Sequence, residues 1–330
     1  MRLARRDLLR LAAAGVCVPL PALVRPARAR EAGYPAPTRE AMLPVPGGRV
    51  YVRVNGDLAG PRPPLVIVHG GPGGTHAGYL DALALADERA VILYDQLDSG
   101  RSDHPNDPAN WRVARFVDEL EAVRRGLNVA RWHVCGHSWG GTIALEYAAR
   151  RAPAMASAIL ASPLVSTRSW IADADALRRE LPGETQAALA TCDTPAPATA
   201  AACEAGTAEF YRRFNGREPD PPALRAYARA NGRGFNARLY ETMWGRSEFV
   251  ATGSLRDYDG EPLLARVDGA RTLFMVGQYD EARPVTSLRF AARMPGAELA
   301  VIPGAAHGTF TDRPDETVAT LRAWMRRHDG

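Results

Sequence analysis

The sequence has no lysine: all 41 of its Lys+Arg residues are arginine. No catalytic lysine is therefore available, neither as a base nor as a Schiff-base amine. Beyond the first thirty residues no apolar run is long enough for a spanning helix, so stable membrane insertion of the mature chain is not expected. Basic stripes with interleaved aromatics are missing, and no G-K-[ST] or G-x-G-x-x-G follows a strand. These absences speak against nucleic-acid and nucleotide binding. Cysteine is scarce, with four in 330 residues, and no pair has zinc-ligand spacing.

Much of the basic excess sits at the N-terminus. Residues 1–29 hold six arginines and one aspartate, which leaves 35 basic and 36 acidic residues, a formal net of −1, for the rest. A near-neutral chain lacks the electrostatic attraction that dominates nucleic-acid binding. Ala4-Arg5-Arg6-Asp7-Leu8-Leu9-Arg10 is close to a twin-arginine signal, followed by an apolar stretch to Val24 and an A-x-A site at Ala27-Arg28-Ala29. The expectation is export by the twin-arginine (Tat) machinery, cleavage after Ala29 and a periplasmic or secreted product; the competing reading is a retained basic helix. Cys17 would leave with the signal, and Cys135 fits a small buried strand residue. Cys192 and Cys203 lie close together in an Ala/Pro-rich segment, where an oxidising compartment would let them pair; free thiols remain the alternative.

The most informative stretch is Trp132 to Glu146, WHVCGHSWGGTIALE. An apolar run enters Gly136-His137-Ser138-Trp139-Gly140, and a helix-forming run leaves it. This predicts strand, sharp turn and helix with Ser138 at the apex, the glycines being needed because strand and helix approach too closely for Cβ atoms. The turn would present the Ser138 hydroxyl and place the Trp139 N–H where an oxyanion develops.

Apolar runs at Pro64–Val68, Ala90–Tyr94, Ala158–Ala161, Arg271–Gly277 and Glu298–Ile302 alternate with helical patterns, after a hairpin around Gly47-Gly48. The expected fold is α/β: a mostly parallel sheet flanked by helices, with ligands bound outside the carboxyl ends of the strands. Residues 165–256 are helical and rich in Ala and Arg with no clear strand, which predicts a helical cap inserted between core segments 30–164 and 257–330. The loop His69-Gly70-Gly71-Pro72-Gly73-Gly74 fits the second half of an oxyanion hole, with Gly71 the first choice of donor and Gly70 the second. His69 is expected to be structural.

Asp280 just past one strand and His307 just past the next complete the order Ser, Asp, His. That order is associated with α/β-hydrolases, with His307 as general base and Asp280 fixing its tautomer. Glu281 is the weaker candidate for the acid, and His76, His104, His133 and His137 are expected to be structural. No metal or organic cofactor is implied.

HGGPGG, YDQLDSGRSD, GHSWGG, GQYDEARP and PGAAHGTF together resemble the proline iminopeptidase family of α/β-hydrolases, over about Leu43 to Pro314. Within it, Tyr240 to Phe249 is similar to the subgroup with the tricorn-interacting aminopeptidase and the L-amino acid amidases. The resemblance implies release of an N-terminal residue, often proline, from a short peptide or amino-acid amide, with the free amine held by cap glutamates. It points to Glu248 as one of these, and to Glu209, or alternatively Glu204, as the second. It also implies a cis bond at Gly71-Pro72. The sequence departs from relatives at Asp98 and Ser99, where Gly and a small residue are usual. The alternative function is an esterase or lactonase with the same triad, which would need no paired acid in the cap; a non-catalytic binding protein is a third, which the intact Ser138, Asp280 and His307 set argues against.

Overall fold

The computed structural model describes residues 33–150, 153–193, 196–232 and 234–330. The expected export signal, residues 1–29 with Cys17, lies outside them. Eight strands among the described residues form one sheet: β1 (Arg39–Val45), β2 (Gly48–Asn55), β3 (Leu65–Val68), β4 (Val91–Tyr94), β5 (Trp132–His137), β6 (Met155–Ala161), β7 (Thr272–Gly277) and β8 (Glu298–Ile302), in spatial order β1-β2-β4-β3-β5-β6-β7-β8. β1 and β2 form the hairpin, closed at Val45 and Gly48, and β2 is antiparallel to β4; every later pairing is parallel.

Because side chains alternate along a strand, each central strand feeds two cores. Val66, Val68, Ile92, Val134, Leu160 and Phe274 face one layer, built with α1 (Val113–Gly126) and α2 (Trp139–Ala149). Leu65, Ile67, Leu93, Cys135, Ile159 and Met275 face the other, packed on a 3-10 stretch, His76–Asp87, that sequence periodicity had not marked.

Between β6 and β7 the described residues carry α3 (Thr167–Arg178), α4 (Gly183–Asp193), α5 (Ala200–Phe214), α6 (Pro222–Ala230) and α7 (Ala237–Met243). Ser166 and Asp259 form an isolated antiparallel bridge that draws the ends of this insertion together. The insertion has its own core around Leu177, Leu189, Phe210, Phe214 and Phe249, and a Cys192–Cys203 disulfide joins α4 to α5. After β7 come α8 (Pro284–Ala291), the short α9 (Thr309–Asp312) and α10 (Pro314–Arg327).

The departure at Asp98 has a local explanation. Asp98 adopts φ 65°, and its carboxylate accepts from Trp111 Nε1 at 2.8 Å and from the Asn106 backbone at 2.7 Å. An acid that bonds its own loop tolerates a conformation otherwise left to glycine.

Candidate active site

Ser138 sits between β5 and α2 with φ 56° and ψ −119°, a strained position for a residue with a Cβ. The tightness of the turn is measurable at its glycines. A Cβ on Gly136 would lie 2.1 Å from the Gly140 carbonyl oxygen, and one on Gly140 would lie 2.1 Å from that of Val68. Neither position admits a side chain, so β5, β3 and α2 can converge only with glycine there. As first residue of α2, Trp139 has a backbone N–H with no intrahelical acceptor.

Gly71 lies beside this turn in the loop after β3, at φ 114° and followed by a cis bond to Pro72. Its neighbour Gly70 is engaged already, since its N–H donates to the Tyr79 hydroxyl at 3.0 Å. That leaves Gly71 the better placed of the two predicted donors. His69 is tied into the scaffold: its Nδ1 donates to Gly70 O at 2.9 Å, and its Nε2 accepts from Gln96 N at 3.0 Å.

Past the ends of β7 and β8, the Nδ1 of His307 donates to Asp280 Oδ1 at 2.9 Å. Asp280 is fully enclosed and fully bonded, accepting also from Ala282 N, Gly277 N and the Ser162 hydroxyl. A carboxylate so held fixes the imidazole tautomer with Nε2 turned away from it. His307 Nε2 lies 3.7 Å from Glu281 Oε1, and Trp170 packs edge-on against the ring at 5.6 Å.

The end of α5 holds both loops. The Phe214 carbonyl accepts from His307 N and from Glu281 N, each at 3.1 Å, and the Asn215 carbonyl accepts from Gly308 N at 2.7 Å. Carbonyls at a helix C-terminus lack intrahelical partners and carry partial negative charge, so the contact satisfies them.

These pieces surround a cavity of about 520 Å³ lined by Gly70, Gly71, Ser138, His307, Tyr211, Asn215, Phe235, Tyr240, Glu248 and Glu281 among others. Glu248 stands on its wall with a hydrogen bond from the Tyr240 hydroxyl. Glu209 does not. Its carboxylate is clamped by Arg212 and Arg213 on the outer face of α5, which holds its pKa down to about 2. Helical spacing i, i+3 and i, i+4 made those arginines its partners. Glu204 faces a different hollow beside the disulfide. The second carboxylate in the cavity is Glu281, weighed in the sequence only as a rival acid. Its Oε1 accepts from Asn215 Nδ2 at 2.6 Å, and its Oε2 is buried with no partner.

Burial disfavours charge on Glu248, Glu281 and His307 alike. It raises the pKa of Glu248, and it raises that of Glu281 with repulsion from Glu248 added. Burial would lower His307, but Glu281, Asp280 and Glu248 outweigh it and raise its pKa. His137 is held down to about 3 by burial and by His307 beside it. The other histidines bond structurally: His76 to Asp95, His104 to Gly100 O, and His133 to Ser157. No group of three His, Cys, Asp or Glu among the described residues could hold a metal ion.

Residues 63–314 match the family model described as alpha/beta hydrolase fold. A proline iminopeptidase of Levilactobacillus brevis is 35% identical over 297 residues, 88% of this chain and 97% of that protein. One of Heyndrickxia coagulans is 33% identical over 282 residues, 86% of this chain and 96% of that protein. The crystal structure of a Mycobacterium smegmatis proline iminopeptidase superposes with a TM-score of 0.79 at 34% identity, covering 88% of this chain and 99% of that one. With relatives this similar spanning both partners almost end to end, the chain belongs to the proline iminopeptidase family of α/β-hydrolases.

Proposed function

We propose that the protein is an exported serine aminopeptidase that releases an N-terminal residue, proline or another small or apolar one, from short peptides or amino-acid amides. One observation carries this: Glu248 and Glu281 share a cavity wall with Ser138, and among the described residues no arginine lines the cavity to neutralise them. A substrate ammonium would supply the missing cation and set the scissile carbonyl over Ser138. An ester without an amine would bring no cation of its own to the two carboxylates, which disfavours the esterase or lactonase alternative.

In this mechanism His307 Nε2 takes the proton of Ser138 Oγ as the oxygen attacks the carbonyl carbon. The Gly71 and Trp139 N–H groups hold the resulting oxyanion. Collapse expels the leaving amine, which receives that proton from His307, and an acyl-Ser138 ester remains. Water then attacks with His307 again as base, and the proton returns to Ser138 Oγ as the amino acid leaves.

Export through the twin-arginine signal at residues 1–29 is part of the proposal, supported by the Cys192–Cys203 disulfide, a bond that reducing cytosol disfavours. The functional test is turnover of prolyl- and alanyl-arylamides, their N-acetylated forms and a short acyl ester. Cleavage lost on N-acetylation supports the proposal; ester cleavage alone, indifferent to Glu248→Gln, refutes it.

A further inference from the structure

The cavity wall is short of positive charge. Asp280 and Glu281 approach His307 from the loop after β7, and Glu248 from the cap. Asp280 is satisfied by its four hydrogen bonds. Glu281 is not: one oxygen has only Asn215 and the distant imidazole, and the other has nothing. The nitrogen that Glu281 faces is the same Nε2 that must accept the Ser138 proton.

Among the described residues no other group near His307 offers Glu281 a cation. His137, tilted against the ring at 4.6 Å between centroids, is kept neutral by burial. Tyr79, Tyr211 and Tyr240 are phenols that burial keeps protonated. Asp312, behind the His307 loop, is occupied by the backbone N–H groups of Ala306, Arg217 and Glu218. In the empty cavity the imidazolium is the available counter-ion, and the carboxylates around it favour that charged form.

We infer that Glu281 determines specificity through His307 as well as through the substrate: an α-ammonium seated between Glu248 and Glu281 replaces the imidazolium as their counter-ion, so filling the amine subsite frees Nε2 to act as base. This rests on the aminopeptidase reading above. A substrate without an amine meets a histidine that still carries its proton. The penalty then falls on kcat near neutral pH, not on KM alone, and it fades as the pH rises.

The test uses L-prolinol and L-alaninol, which carry the ammonium but no scissile bond, so the intact enzyme serves. Calorimetry at pH 7 in two buffers of different ionisation enthalpy reads the protons released on binding, the ligand amines being already charged. The expected release is about one proton per ligand, falling by half or more in Glu281→Gln. Release from the Glu281 carboxyl, whose pKa burial also raises, is told apart by the His307 imidazole NMR shift, which moves from the charged to the neutral form on binding if the proton leaves His307; an unchanged imidazole signal overturns the inference. In parallel, the acid limb of the kcat–pH profile should lie at least about one pH unit higher for a short acyl ester than for prolyl-arylamide. Binding without proton release overturns the inference and leaves the aminopeptidase reading standing. If neither amino alcohol binds, coincident limbs overturn it; failure to cleave any free-amine arylamide overturns both.

Discussion

His137 donates from Nε2 to the backbone carbonyl of His307 at 2.9 Å, so the residue before Ser138 holds the loop that carries His307, the proposed base. Its Nδ1 accepts from the Tyr79 hydroxyl at 2.9 Å, and that hydroxyl takes the Gly70 N–H. One neutral imidazole thus fixes the base loop and the glycine loop together. His137→Gln, which cannot span both partners, should lower kcat about 10- to 100-fold with little change in KM, since small misplacements of reacting groups cost that much. Steady-state kinetics on a free-amine arylamide measures it.

Buried neutral histidines also predict acid lability. His137 is held down to about 3, and His133 to about 4 by burial, against an unfolded value of about 6.5. Between those limits the unfolded chain binds protons that the folded chain refuses, so stability falls as pH drops below about 6.5. His133 alone should cost about 3 kcal/mol by pH 4. His307 has the opposite sign: its raised pKa contributes stability below its unfolded value that is lost as pH rises through the folded one. Denaturant melts from pH 7 down to 4.5 should show the decline, and His133→Gln should flatten it.

The strain at Ser138 sets stability against activity. At φ 56° and ψ −119° a glycine loses less than a serine, so Ser138→Gly should raise stability by about 1 kcal/mol while abolishing turnover and fluorophosphonate labelling. Thermal melts of the two proteins, read beside labelling, test both halves.

Three glutamates should separate cleanly. Glu281→Gln and Glu248→Gln should each cut kcat/KM on free-amine arylamides by about 10- to 100-fold, the worth of a charge-assisted hydrogen bond. Glu209→Gln, which touches only Arg212 and Arg213 on the surface, should stay within about twofold of the parent.

The disulfide closes a short loop, with 11 residues of separation between Cys192 and Cys203. Replacing both by serine should lower stability by about 2–3 kcal/mol on chain-entropy grounds. Cys135 is buried in β5 with its thiol pushed up to about 12, so a reductant's effect on melting should be absent from the double variant.

The core of the site was legible because strand ends dictate it. Ser138, Asp280 and His307 each follow a recognisable apolar run, and a parallel sheet brings those ends to one edge. Glu281 was discounted because chain neighbours in an extended turn point apart. The turn after β7 instead hooks under α5, where Phe214 O takes Glu281 N and Asn215 takes its carboxylate. An acidic pair at a strand end beside an expected amine site was the available signal. Glu209 misled for a complementary reason: a helix offers every residue several directions, and two arginines one turn on settled its own.

The grip of α5 on both loops bears on traffic through the enzyme. Were the cap to swing away as a lid, the bonds from His307 N, Glu281 N and Gly308 N to its α5 carbonyls would break, although the His307–Asp280 bond itself would not. Opening the cap would therefore cost the backbone contacts that seat the His307 and Glu281 loops, which favours a roof that stays in place over the cavity.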